Sequence, residues 1–208
     1  LFDPQSRWYL YPFTSCAACG PRFSTITDLP YDRPNTTMDD FPLCDTCNTG
    51  YTNPLNRRYH AQTTACDRCG PLYRLMDNRG NLVEEGKPVA VAAAMLQQGK
   101  IVSLHGISGT HLATITTDPV PIRELRRRKR KSFRPFAVMF RDLETVNAQF
   151  DLSDMERELL SSWKRPIVLL RIQDDCVSGV IPTASVREIA PGLDTMGVML
   201  PYAPMHHM

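Results

Sequence analysis

The feature that most constrains this chain is an internal repeat of fifty residues. A shift of 50 places Pro4 on Pro54, Arg7 on Arg57, Tyr9 on Tyr59, Cys16 on Cys66, Cys19 on Cys69, Gly20 on Gly70 and Pro21 on Pro71. A C-x2-C-G-P string recurring at one offset, with an upstream proline and arginine in register, marks a duplicated structural unit. The second unit also carries Cys44 and Cys47, separated from Cys66 by 18 residues. The equivalent positions of the first unit fall before Leu1. The first unit is therefore expected to be cut in half, in a chain that reads as a piece of a longer one.

Six of the seven cysteines sit in these C-x2-C knuckles, and Cys176 stands apart. No basic n-region followed by an apolar h-region opens the chain, so a cytoplasmic location is expected and a disulfide framework is not. Metal binding explains the knuckles better. Zinc takes four thiolates in a tetrahedron, and each C-x2-C turn supplies two. Cys44, Cys47, Cys66 and Cys69 are assigned to one structural zinc. Its closed shell leaves no position for a catalytic water. Cys16 and Cys19 are candidate ligands of a second site whose partners lie upstream. A competing arrangement joins them to Cys44 and Cys47, and the repeat register favours the first. His60 is read as a surface or core histidine ahead of a metal ligand.

Charge is unevenly placed. Residues 123–134 hold eight basic side chains against Glu124, a local +7 in a chain whose net charge is +2. A cationic block on a slightly acidic body points to an anionic ligand, phosphate or nucleic acid. A solvated helix face is the ordinary alternative. No apolar run reaches the roughly 18–20 residues of a membrane span, so no membrane role is expected.

Residues 76–88 are polar and turn-rich and read as a linker between a zinc region, 1–75, and a second domain, 89–208. The second domain alternates elements. Helices are expected at 89–98, from Asp118 into the basic block, and at 154–163 behind Ser153. Strands are expected at 101–104, 111–116, 136–140 and 166–172. That pattern is α/β. The loop from His105 to Gly109 lies between strands and is neither a Walker loop nor a dinucleotide fingerprint.

Four stretches carry a resemblance: FTSCAACGPRFSTITDLPYDRPNTTM (13–38), NPLNRRYHAQTTACDRCGP (53–71), ELRRRKRKSFRPFAVM (124–139) and GVMLPYAPMHHM (197–208). With them the chain resembles the HypF family of [NiFe]-hydrogenase maturation carbamoyltransferases over essentially its whole length. The resemblance implies one and a half C4 zinc fingers followed by the first part of a YrdC-like domain. That fold is α/β, of the α+β twisted-sheet kind, truncated at both ends.

The resemblance also implies a reaction. Carbamoyl phosphate and ATP, with Mg²⁺, are substrates for carbamoyl-AMP formation. The carbamoyl group then passes to the C-terminal cysteine of the partner protein HypE. In YrdC-like domains a K-x-R motif holds the nucleotide phosphates. Lys129 matches its lysine, Lys131 stands where arginine is usual, and Arg134 is the third candidate. The family's downstream S-x-N motif is expected beyond Met208. No catalytic residue is assigned. The alternatives are a zinc-containing module that binds double-stranded RNA through the basic block, or a scaffold joining active domains.

Overall fold

The structure, a computed structural model, describes every residue except 18, 19, 21, 85, 107, 108, 131 and 174–179. Its backbone separates into two compact units. One comprises Leu1–Ala90, His105–Thr110 and Met208, and the other Val91–Leu104 and His111–His207. Among the described residues no helix is long and apolar enough to cross a membrane.

The first unit is built mostly from turns. Helix α1 (Asp45–Thr52) starts directly after Cys44, which occupies its N-cap position. Strands β1 (Leu75–Met76) and β2 (Leu82–Glu84) pair antiparallel. The apolar core is small: Tyr11, Met38 and Ala65 are buried, with Trp8, Phe13 and Phe41 packed on them. So little buried apolar surface does not offset the ordering of such a chain, and other fastenings are needed.

One fastening is the repeat itself, which persists at the level of single hydrogen bonds. Ser6 N donates to Asp3 O, and Asn56 N to Asn53 O. Tyr9 N donates to Ser6 O, and Tyr59 N to Asn56 O. Thr14 N donates to Tyr11 O, and Thr64 N to Ala61 O. In both copies the glycine after the knuckle donates to the carbonyl of its first cysteine, over 2.8 Å. A Cβ at Gly20 would collide with Cys16 O, and one at Gly70 with the Tyr11 hydroxyl. The C-x2-C-G string is thus a steric requirement of the turn.

A second fastening joins two stretches far apart in sequence. Buried Arg33 donates to Gln62 O (2.7 Å), Thr64 O (2.9 Å) and Phe41 O (2.6 Å). Asp32 accepts from the Tyr51 hydroxyl, which also bonds Gln62. The PYDRP string therefore clamps the RRYHAQ segment.

Residues 76–88, expected to be linker, carry the turn and second strand of the β1–β2 hairpin. Asp77 makes the turn, accepting from the backbone of Arg79 and Asn81 and from the Asn81 amide. Polar turn chemistry reads alike in linkers and in short hairpins, and that ambiguity explains the difference.

The chain from Pro88 onward holds most of the regular structure. Helix α2 (Pro88–Gln97) ends before Gly99, whose φ of 74° suits glycine. Strands β3 (Val102–Gly106) and β4 (Gly109–Ala113) form a two-stranded sheet. Helix α3 (Pro119–Lys129) is capped by the Asp118 side chain and starts on a proline. Next come β5 (Ala137–Met139), α4 (Leu143–Asn147), α5 (Asp154–Ser161), β6 (Val168–Arg171), α6 (Thr183–Ile189) and β7 (Thr195–Met199). Ser153 and Glu156 form a capping box on α5.

In the three-stranded sheet β7 is central, parallel to β5 and antiparallel to β6. Val138, Val198, Leu170 and Met196 lie in a core shared with Val146, Phe150, Leu160 and Ile189. The sequence reading did not place α4, α6 or β7. The two helices have only five and seven residues, too few to show a period. Strand β7 carries Gly197 at its centre, where a Cβ would press on Ile167 at 3.0 Å.

Candidate metal centre and basic segment

Cys44, Cys47, Cys66 and Cys69 converge, with all four sulfurs within 4.8 Å of one another. Sγ–Sγ separations are 3.8 Å for Cys44–Cys66, 3.7 Å for Cys66–Cys69 and 3.6 Å for Cys69–Cys47. A tetrahedral zinc with sulfurs at about 2.3 Å requires edges of about 3.8 Å. The donor set and its spacing fit zinc, which would serve there as a structural cross-link. Without a cation the thiols do not ionise alike. The Cys47 backbone N–H holds Cys44 down to about 7, whereas burial pushes the Cys47 thiol up. A dication removes that conflict by stabilising all four thiolates together.

Arginines missed in the sequence reading surround this cluster. Arg7 approaches Cys47 Sγ with one guanidinium nitrogen at 2.8 Å. Burial works against its charge, but hydrogen bonding to Cys66 and attraction to Cys47 raise its pKa above the ordinary value. Trp8 donates from Nε1 to Ala65 O at 2.8 Å. The guanidinium carbons of Arg7 and Arg58 lie 4.6 and 3.9 Å from the Trp8 ring centre. The repeat marks Arg7 and Arg57 as equivalent, a signal already present in the sequence.

Cys16 is exposed and borders a cavity of about 100 Å³ lined also by Arg22, Tyr31, Arg57, His60 and Gln62. Its knuckle partner Cys19 lies outside the described residues. The structure brings Cys44 and Cys47 to Cys66 and Cys69, not to Cys16. His60 stacks against Tyr51 at 5.0 Å and meets Tyr59 edge-on at 4.5 Å. It is not part of the four-sulfur cluster.

The basic block does not act as one +7 surface. Arg123 pairs with Glu188, and Arg127 and Arg128 both pair with Glu124. Hydrogen bonds from Arg127 and Arg128 hold Glu124 down to about 2. Arg126 is buried and points inward, donating to Arg134 O (2.9 Å), Ser132 O (3.3 Å) and Glu188 O (2.6 Å), with its guanidinium 4.6 Å from the Phe136 ring. It fixes the backbone that follows α3. Its place among the buried Ile122 and Leu125 on the helix was a readable signal. Lys129 and Arg134 are exposed at the two ends of the turn after α3, and no ion pair is seen for either among the described residues. Lys131 lies outside the described residues. Elsewhere in this unit Tyr202 meets His206 edge-on at 4.4 Å, and its hydroxyl is 3.3 Å from His111 Nε2.

Three comparisons place the chain. A model described as HypF finger matches residues 1–26 and 43–76, and the Sua5/YciO/YrdC model, described as telomere recombination, matches 94–208. Carbamoyltransferase HypF of Rhodobacter capsulatus is 40% identical over 198 residues, covering 95% of this chain and 25% of the relative. The crystal structure of T. kodakarensis HypF superposes with a TM-score of 0.91 at 47% identity, over all of this chain and 26% of that one. A full-length HypF crystal structure in the phosphate- and nucleotide-bound form gives 0.87 at 44%, with the same coverage. The chain spans about a quarter of the length of these relatives. With a HypF finger in its first unit and a YrdC-type match over more than half its length, the chain belongs to the HypF family of carbamoyltransferases.

Proposed function

We propose that the chain is the zinc-carrying and nucleotide-handling part of a carbamoyltransferase that serves [NiFe]-hydrogenase maturation. Carbamoyl phosphate loses its phosphate to water, giving carbamate and inorganic phosphate. The carbamate oxygen attacks the α-phosphorus of Mg²⁺-bound ATP and expels pyrophosphate, leaving carbamoyl-AMP. A cysteine thiolate at the C-terminus of HypE then attacks the carbonyl carbon and AMP departs, so that the group ends as a thiocarbamate. Lys129 and Arg134, with Lys131 between them, are assigned to the nucleotide phosphates. Fixed cations favour the charge that develops there, and the lysines act as point charges without the bidentate fork of arginine.

The observation that carries this reading is the likeness of the whole chain to HypF carbamoyltransferases. The exposure of Lys129 and Arg134 beside neighbours already engaged in ion pairs is consistent with it. The test is pyrophosphate exchange into ATP by the full-length protein. Exchange should depend on carbamoyl phosphate and fall on Lys129→Ala. Exchange absent from the wild type, with salt-dependent retardation of double-stranded RNA instead, would transfer the basic segment to the RNA-binding reading.

A further inference from the structure

The residues around the four sulfurs are not all from the second repeat. Arg7 and Trp8 belong to the first, forty residues or more from the knuckles they reach. Arg7 contacts Cys47 Sγ, while Trp8 bonds the carbonyl of Ala65, the residue before Cys66. From the second repeat Arg58 lies over the same indole at 3.9 Å. The repeat equivalent of Arg7 is Arg57, which lines the cavity beside Cys16. Each repeat thus places its arginine beside the other's knuckle.

Four thiolates around a dication retain two negative charges. In a partly buried site that excess needs donors, and outer partners of this kind govern how firmly a metal is held. A guanidinium answers the need better than an ammonium. It stays charged when desolvated, and its planar face stacks on Trp8 while an edge N–H meets sulfur.

We infer that Arg7 is an outer-shell lock on the finger metal, binding the first repeat to the second finger so that metal loading also orders residues 1–15. The metal draws the thiolates together, their charge holds Arg7, and Arg7 with Trp8 anchors the turns between Asp3 and Thr14. Loss of the metal removes the centre that gathers the four sulfurs beside Arg7. The inference rests on zinc occupying the four-sulfur site and not on the carbamoyl chemistry.

The test uses the full-length, zinc-loaded protein. A chelator is added with an alkylating agent, and peptide mass spectrometry follows modification of Cys44, Cys47, Cys66 and Cys69. Loss of an outer-shell partner typically weakens metal retention tenfold to a hundredfold. Arg7→Ala should expose the four thiols at least about tenfold faster, Arg7→Lys less so, and Arg57→Ala at the wild-type rate. Amide exchange in residues 1–15 of the wild type should rise when zinc is stripped. If Arg7→Ala is isolated without its full zinc content, Arg7→Lys carries the test at full occupancy. Faster thiol exposure there supports the lock. Thiol exposure unchanged by either Arg7 variant overturns it, as does amide exchange in residues 1–15 that ignores the metal. Pyrophosphate exchange that proceeds normally in a variant with fast thiol exposure upholds the lock independently of the reaction.

Discussion

Leu10 and His60 stand fifty residues apart and share a left-handed backbone, with φ of 53° and 48°. Each donates its amide to the carbonyl nine residues upstream, Leu10 to Leu1 and His60 to Tyr51. The left-handed region costs an L-residue roughly 1–2 kcal/mol. Both copies keep it because the turn must reverse there to bring the knuckle back. The side chains differ in what they return: His60 stacks on Tyr51 and meets Tyr59 edge-on, whereas Leu10 is partly exposed.

That difference sets opposite expectations for one substitution. Asparagine tolerates the left-handed region, so Leu10→Asn should stabilise the protein by about 0.5–1 kcal/mol. His60→Asn gains the same relief but forfeits two ring contacts, and should end about 1 kcal/mol less stable. Denaturant midpoints of the two variants check this. A lower midpoint for Leu10→Asn would show that Leu10 packs more tightly than its exposure indicates.

Cys66→Ser should remove one equivalent of zinc and unfold the finger. A structural zinc in a unit of this size supplies about 10–16 kcal/mol of folding free energy, far more than the small Tyr11–Met38–Ala65 core returns. Limited proteolysis should then cut within residues 40–70 while the three-stranded sheet of the second unit stays resistant. Full zinc content in Cys66→Ser would mean that the metal is held by other residues.

Glu124 supplies a test in pH. Hydrogen bonds from Arg127 and Arg128 lower its pKa from 4.5 to about 2. The folded value lies below the unfolded one, so the favourable contribution is present in full above about pH 4.5 and is lost as pH falls through about 2. Carbon-13 titration of the Glu124 carboxyl should place its midpoint near 2, and Arg127→Ala should move it upward. A midpoint near 4.5 in the wild type would show that these exposed pairs do not persist in solution.

How much of this was readable beforehand follows from the length scale of each signal. The finger was legible because metal chemistry writes its ligands as identical residue types at fixed spacing, and the copy at Cys16 and Cys19 fixed the register of the Cys66 and Cys69 knuckle. Helix α5 was legible because Ser153 and Glu156 are local partners. Strand β7 was not, since its place between β5 and β6 depends on residues thirty and sixty positions away. Arg33 was quoted within a motif, yet the carbonyls that it binds belong to residues 41, 62 and 64. The basic block misled in the other direction. Composition counts charges, but Glu124, Glu188 and the buried position of Arg126 engage four of its eight cations. Lys129, Arg130, Lys131 and Arg134 could not be separated from the rest until the helix phase was known.

The last expectation separates contact from positioning within that block. Lys129→Ala removes a proposed charge-assisted contact to phosphate, worth about 1.5–3 kcal/mol, and should raise the KM for ATP in pyrophosphate exchange roughly tenfold to a hundredfold. Arg126 is buried among backbone carbonyls and holds Ser132 and Arg134 against Glu188 at the end of α6. Arg126→Ala leaves those carbonyls without their donor and should destabilise the second unit by about 2–4 kcal/mol. It should also raise the KM for ATP, because the backbone between Lys129 and Phe136 loses its anchor, while the zinc content stays unchanged. Arg126→Lys retains charge and reach but not the fork, and should recover part of both losses. If Arg126 acts on ATP through this segment, adding Lys129→Ala to Arg126→Ala should raise KM by less than the product of the single effects. Strict additivity of the two substitutions would reduce Arg126 to a stability residue and leave the nucleotide to Lys129 and its exposed neighbours.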